Sequence, residues 1–440
     1  MSRRNLILLI IVLGITAIIF LAFLFTRGGT PEDPSEEGGG NFFSSWNPFA
    51  KDPAPPQDNQ PVQIPDYENL PEEQLAAMKL KKISSMPIAG YGAFQKERLK
   101  EIPPAETGAD EDVEGEPVVT IPPQTEFAPA VRYAEKENGI IYQTFADKIK
   151  QTKFSSTIIP KLYEAYFGNK GGTVVMRYLK GGDETIDTFV GVLPKEFIGE
   201  DARDDYEIKG SFLPEDVSDI SLSLDSMKMF YLFEVGNGVV GTTLEFTNNR
   251  KTQVFDSAFT EWLSSWPNNN MISLNTKPAS SVPGYLYKLD LSSRSVTKTL
   301  GPIDGLTTLI SPTGNFVLYS GDDLALVLYN TSSRESKPVG LRSLPEKCVW
   351  ARSEEVIYCA VPKSSPIGSY PDIWYQGGVT FDDQIWRINT STLEATLLLN
   401  PVAEINGEEI DGIRLSLDEA ENYLFFINKK DSFLWEFYLR

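Results

Sequence analysis

LTTLISPTGNFVLYS, residues 306–320, is the stretch on which the fold turns. Two runs rich in β-formers, Leu306 to Ser311 and Phe316 to Ser320, flank Pro312-Thr313-Gly314, so the chain reverses there into an antiparallel hairpin. The same figure recurs along the chain. Tyr163 to Phe167 and Thr173 to Tyr178 flank Gly168 to Gly171; Ile220 to Leu224 and Met229 to Val235 flank Asp225-Ser226. Trp262 to Trp266 and Met271 to Asn275 flank Pro267-Asn268-Asn269; Cys348 to Ala351 and Val356 to Val361 flank Ser353-Glu354; Ile413 to Leu417 and Tyr423 to Asn428 flank Asp418-Glu419. From Asn169 these turns are spaced by 56, 42, 45, 41 and 65 residues, the period of a four-stranded propeller blade lengthened where loops intrude.

A second figure supports the period. Tyr285 to Asp290, Leu326 to Asn330 and Gln384 to Asn389 read as third strands of successive blades. Each ends in Asp or Asn, followed by Ser and Thr residues, and such side chains close a turn by bonding the backbone just ahead of them. Six blades are then visible and a seventh is split. The run ending at Phe433 to Leu439 has three strands and no fourth, and residues 79–85 look like a fourth strand with no blade of its own. Docking one on the other would remove two exposed sheet edges. The expectation is an all-β fold, a single β-propeller over 79–440 with seven four-stranded blades, six being the alternative. Blade one would cover 88–156, with an acidic insertion at 95–129 between its first two strands.

Ahead of the propeller, Arg3 and Arg4 precede Leu6 to Phe25, a run interrupted only by Gly14 and Thr16. Twenty helical residues span roughly 30 Å, one bilayer core. A cleaved signal peptide would have a shorter apolar run followed by a small-x-small site, which Phe25-Thr26-Arg27-Gly28 does not offer. Residues 5–26 are therefore read as an uncleaved transmembrane signal anchor, with 1–4 a cytoplasmic tip and the bulk of the chain extracytoplasmic. The expected location is the cell membrane, single-pass. Residues 27–78 read as a disordered, acidic, proline-rich linker with a short helix near 71–78. Residues 27–130 carry 8 basic against 19 acidic side chains, so much of the acidity belongs to tether and insertion.

Composition excludes whole classes of chemistry. The 440 residues include no histidine, so Ser-His-Asp and Cys-His catalysis, imidazole bases and His-containing zinc sites are out. Two cysteines are too few for an all-cysteine zinc site. A net charge of −21 argues against nucleic acid, whose phosphates call for a basic surface. Gly236-Asn237-Gly238-Val239-Val240-Gly241 matches G-x-G-x-x-G, but the strand-like Thr242 to Phe246 follows it instead of a helix, so no nucleotide is expected. Asp110 to Gly115 opens like a calcium loop yet lacks the acid at its twelfth position, where Ile121 stands. No cofactor, metal ligand or catalytic residue is called for.

Two further groups stand out. If Ser353-Glu354 is a two-residue turn, Cys348 faces Cys359 across the hairpin, either bonded or as two buried thiols. A closing hydrogen-bonded pair at 352 and 355 would put the cysteines on a hydrogen-bonded site. Between Val361 and Asp382 the chain inserts Pro362, Pro366, Pro371 and the aromatics Tyr370, Trp374, Tyr375 and Phe381. A second insertion, Lys277 to Pro283, lies between the same two strands two blades earlier. Both project from one propeller face, and Tyr370, Trp374, Tyr375 and Phe381 are the candidate binding loop, exposed aromatics on a proline-stiffened frame; the alternative is that Trp374 and Tyr375 fold back to cap the outer strands. That face is expected to point away from the membrane.

With Ser311-Pro312-Thr313-Gly314-Asn315 in the place of a repeated S-P-D-G-K, the chain resembles the WD40-like propellers of the TolB type and the propeller of dipeptidyl-peptidase-type proteins. Anchor, acidic linker and propeller together are similar to uncharacterised membrane-anchored envelope propellers of reduced-genome bacteria. The chain ends at Arg440, just past the last strand, so the expectation is a propeller without the hydrolase domain of those peptidases. Two functions follow. One is a non-catalytic module that binds a protein, peptide or glycan on its outer face. The other is a glycosidase-like hydrolase working with paired Asp and Glu carboxylates.

Overall fold

The computed structural model describes residues 78–100, 124–148, 151–181, 185–196, 207–404 and 407–440. The described residues form seven antiparallel sheets of four strands each. The chain enters through β1 (Leu80–Lys82). Blade 1 is β2 (Ile88–Leu99), β3 (Thr125–Glu135), β4 (Ile141–Phe145) and β5 (Thr152–Lys153). Blade 2 is β6 (Leu162–Gly168), β7 (Thr173–Leu179), β8 (Ile186–Val192) and β9 (Lys209–Phe212). Blade 3 is β10 (Val217–Leu222), β11 (Lys228–Val235), β12 (Gly238–Glu245) and β13 (Arg250–Ser257). Blade 4 is β14 (Trp262–Asn268), β15 (Met271–Thr276), β16 (Pro283–Asp290) and β17 (Val296–Asp304). Blade 5 is β18 (Thr307–Ile310), β19 (Phe316–Ser320), β20 (Ala325–Asn330) and β21 (Ser336–Arg342). Blade 6 is β22 (Cys348–Trp350), β23 (Val356–Pro362), β24 (Asp383–Asn389) and β25 (Ala395–Leu399). Blade 7 is β26 (Gly412–Leu417), β27 (Tyr423–Asn428) and β28 (Leu434–Tyr438), with β1 in its fourth place. There Leu80 pairs with Phe437, Lys81 with Glu436 and Lys82 with Trp435.

The local chemistry explains the hairpins. The turn between β18 and β19 places Gly314 at φ 79°, which glycine adopts without steric cost. The third-to-fourth turns share one device. Asp290 Oδ1 accepts from the backbone N–H of Ser292 and Ser293, Asn330 Oδ1 from Ser332 and Ser333, and Asn389 Oδ1 from Ser391 and Thr392. Gly236 and Asn237 make the turn from β11 into β12, so the G-x-G-x-x-G match opens a strand, not a helix. Alternation along the inner strands buries one face of each sheet against the next blade. Trp262, Trp266, Ile272, Leu274 and Leu289 of blade 4 thus pack on Phe230, Leu232 and Val239 of blade 3. The core lies between blades.

One boundary needs correcting. The ladder between β2 and β3 continues to Leu99 opposite Thr125, so residues 95–99 and 125–129 are paired strand and not insertion. Alternate residues find cross-strand partners well past the end of the other strands, and the insertion is shorter than 95–129 by both ends. The expected membrane span at 5–26, the linker through residue 77, and the calcium-like loop at 110–121 lie outside the described residues. Among the described residues no helix is long and apolar enough to cross a membrane.

Candidate functional site

In a four-stranded blade, the connection from second to third strand and the connection to the next blade leave from the same end. The connections that share one face therefore include 258–261 into blade 4, 277–282 within blade 4, 321–324 within blade 5, 343–347 into blade 6 and 363–382 within blade 6. The first strands of neighbouring blades, such as β2 and β6, β10 and β14, and β22 and β26, stand side by side and line the axis.

The 363–382 insertion folds inward at its base. Tyr370, Trp374 and Phe381 are buried, at 5%, 4% and 1% exposure, with Leu324 and Leu344. This corrects the expectation that they are exposed anchors; of the four aromatics, Tyr375 keeps 37% of its surface, and its hydroxyl bonds Glu346. The physical reason lies beneath them. Lys347, Asp383 and Asp411 are all fully buried, with Lys347 Nζ 2.8 Å from Asp383 and paired to Asp411. Asp411 Oδ2 accepts from Trp374 Nε1 at 2.9 Å and from the Phe381 N–H at 3.1 Å. The Lys347 ammonium also sits 5.2 Å from the Trp374 ring centre and 5.1 Å from that of Phe381. The aromatics shield a buried ion cluster, and the cluster satisfies their polar edges. Burial pushes the Asp383 carboxyl up to about 6 against the pull of Lys347.

Above this base the loop is rigid and its tip is bare. Tyr370 donates its hydroxyl to the Pro366 carbonyl at 2.6 Å, and Gly368 lies so close to Ile373 that an added Cβ would stand 2.9 Å from its Cγ2. Between them Ile367 is fully exposed. The short helix α1 (Asp372–Tyr375) ties the loop to blade 4: Asp372 accepts from the Ser280 N–H at 3.1 Å and from Ser280 Oγ at 2.6 Å. The two insertions thus clasp each other across blade 5.

Next to the clasp is a cleft of about 310 Å³ lined by Phe259, Trp262, Thr276, Lys277, Val282, Pro283, Gly284, Tyr285 and Tyr287. Trp262 is its aromatic centre, meeting Phe259 edge-on at 5.1 Å and Tyr287 at 5.5 Å between ring centres. Its indole N–H is spent on the Phe259 carbonyl at 2.7 Å, which fixes the ring. Phe259 and Val282 remain 47% and 53% exposed, and Lys277, paired with Glu261, and Lys298, over the Tyr285 ring, stand at the rim.

A second polar centre occupies the axis. Arg414 sits at φ 53° in an irregularity of β26 and reaches past blade 1 to pair with Glu164 on β6. The Tyr91 hydroxyl on β2 lies within hydrogen-bonding distance of both the Arg414 and the Phe425 carbonyl, holding that bend. Glu164 also pairs with Arg177 and accepts from the Tyr166 hydroxyl at 2.7 Å. Burial acts to raise the Glu164 carboxyl, but Arg414 and Arg177 outweigh it and hold it below the ordinary value. Asp219 on β10 accepts from Ser264 N and Oγ, and burial pushes its carboxyl up to about 6 despite those bonds. The axis therefore holds one carboxylate kept ionised and one biased toward its acid form.

Cys348 and Cys359 are opposite each other on β22 and β23 and joined as a disulfide, with Cα atoms 4.0 Å apart. The closing hydrogen bond runs from Ala351 N to Val356 O, not between 352 and 355. Counting back by alternate pairs puts the cysteines on the narrow, non-hydrogen-bonded site, where facing side chains come closest. Sequence reading missed the Lys347 cluster, the clasp, and the Glu164 and Arg414 pair. The signal available was charge in apolar context, such as Lys347 beside Cys348-Val349-Trp350 and Arg414 inside Ile413 to Leu417.

No family model matches the chain, and no curated protein matches it. Among solved structures it is similar to oligogalacturonate lyase from Vibrio parahaemolyticus, at TM-score 0.46 and 10% identity over 71% of this chain and 86% of that one. TolB from Acinetobacter baumannii is similar at TM-score 0.40 and 10% identity, over 71% and 76%. A puromycin-hydrolysing peptidase from Mycobacterium tuberculosis is similar at 0.42 and 12%, over 70% of this chain and 50% of that one. The propeller architecture itself rests on the seven four-stranded sheets.

Proposed function

We propose that the protein is a membrane-anchored, extracytoplasmic propeller that works as a non-catalytic binding or scaffold module for a protein, peptide or glycan. The observation that carries this reading is the Ser280 and Asp372 clasp, which joins two insertions into one preformed platform beside an aromatic cleft. Preformed loops with exposed apolar groups bind at low ordering cost. Anchoring rests on the apolar run at 5–26, and β1, pairing with β28, ties the start of the propeller to its end. The test is recovery of partners by the full chain and by an Asp372→Ala, Phe259→Asp variant. The variant is expected to lose at least tenfold of any specific partner; equal recovery would overturn the reading.

A carboxylate-based hydrolase is the second reading, favoured by the contrast between Glu164 and Asp219, since acid and base roles fall to groups whose environments push them apart. Glycoside turnover by the full chain, abolished by Asp219→Asn, would establish it; turnover equal in both, or none, counts against it.

A further inference from the structure

We propose that Lys347 and Asp383 condense into an amide, with Asp411 relaying the protons. The bond is a covalent cross-link that ties the connection into blade 6 to that blade's third strand. Lys347 closes the 343–347 connection, Asp383 opens β24, and both side chains are fully buried together with Asp411. Lys347 Nζ lies 2.8 Å from Asp383 Oδ2, one bond short of the carbon it attacks, and it also pairs with Asp411 Oδ1. Groups fixed at such range need no encounter before they react.

The bond that forms joins Lys347 Nζ to Asp383 Cγ, and the bond that breaks joins Cγ to Oδ1. The ammonium gives up two protons, which Asp411 passes to Oδ1, and Oδ1 leaves as water. Asp411 ends as the carboxylate it began, and no oxidant, reductant or other reactant enters. Each oxygen of Asp383 is suited to its part. Oδ2 accepts the Gly412 N–H at 2.7 Å, a donor placed to hold the charge that builds there during attack. Oδ1 has no hydrogen-bond partner, so it is the oxygen that loses least by leaving. Burial also raises the Asp383 carboxyl to about 6 against the pull of Lys347, toward the acid form whose carbon is more open to attack.

The setting favours condensation over hydrolysis. The Trp374 and Phe381 rings flank the ammonium, and their N–H groups occupy Asp411 Oδ2, which leaves Oδ1 to Lys347. Buried ions are costly; the amide removes one of each sign, and its N–H remains within reach of Asp411. Other close pairs differ in this respect. Lys96 with Glu196 and Lys363 with Asp382 keep both partners open to water, where hydrated ions are the stable form. The linked residues enclose 348–382, so the disulfide hairpin and the 363–382 insertion fall within one covalent ring.

The test inserts a site for a sequence-specific protease after Ile367, which is fully exposed, in the otherwise unchanged full chain. The folded protein is cut there, and the products are separated under denaturing, reducing conditions. One band of full size is expected, because the amide bridges the cut; Lys347→Arg should give two fragments. Peptide mapping of the uncut chain should find a branched peptide joining Lys347 to Asp383, lighter by one water than its two arms together. Asp383→Ala should abolish that peptide, and Asp411→Asn, with folding checked by circular dichroism, should lower it by about tenfold or more. Where a variant fails to fold, the chain with all three residues intact still decides. Two fragments from that chain overturn the inference. So does a branch to Asp411 in place of Asp383, or a water loss confined to a linear peptide at Asp411-Gly412, which is a succinimide and not a cross-link.

Discussion

Lys347 is the side chain on which the base of the 363–382 insertion depends. It is fully buried between Asp383 and Asp411, and Asp411 in turn holds Trp374 and Phe381. Removing one member of a buried ion cluster leaves charge uncompensated and costs about 3–5 kcal/mol. Lys347→Met is expected to lower unfolding stability by that amount in chemical denaturation and to expose the 363–382 loop to protease. Adding Asp383→Asn should recover part of the loss, because it removes one of the stranded charges. Glu436 offers a pH test at the same scale. It is 1% exposed, opposite Lys81 on β1, with Asp147 and Asp418 adding repulsion, and burial pushes its carboxyl up to about 8 from an ordinary 4.5. The folded state then binds more protons than the unfolded state between those values, so this group's contribution to stability falls as pH rises from about 4.5 to 8. Glu436→Gln lacks that dependence. Denaturation midpoints should show the variant gaining on the wild type as pH rises across this window; a constant difference would refute the assignment.

At the scale of elements, the hairpin β22 and β23 combines a turn, a register and a covalent bond. The disulfide closes a loop with a sequence separation of 11, for which chain-entropy arguments give a stabilisation of roughly 2–3 kcal/mol. Replacing both cysteines by alanine should lower stability by about that much without altering the strand pairing, which circular dichroism and a denaturation midpoint would test. The hairpins were legible in sequence for a local reason: Pro312-Thr313-Gly314 or Asp290-Leu291-Ser292-Ser293 sets its own backbone. The 363–382 insertion was legible as an insertion but not in its orientation. Whether Trp374 faces water depends on Asp411, 37 residues away in sequence, and no local pattern announces that partner.

For the whole molecule, the seven sheets bury their faces between neighbours, and Arg414 on blade 7 reaches past blade 1 to Glu164 on blade 2. Substituting Arg414 by Met leaves Glu164 with Arg177 and the Tyr166 hydroxyl, and the expected result is faster unfolding in denaturant, since the contact joins blades from opposite ends of the chain. The proposed anchor is tested at this scale too. The full chain should stay with membranes through a carbonate wash, and deletion of residues 5–26 should release it; retention after deletion would reject the anchor.

By itself the sequence determined the repeating hairpin, the turn chemistry, the alternation that makes each sheet two-faced, and the absence of histidine chemistry. These depend on neighbours a few residues apart and on composition. Only the tertiary structure decided which aromatics are buried, which carboxylates are paired, and that two insertions meet. Those outcomes depend on desolvation and on partners from other blades, and a side chain's cost of burial is settled only by what meets it there.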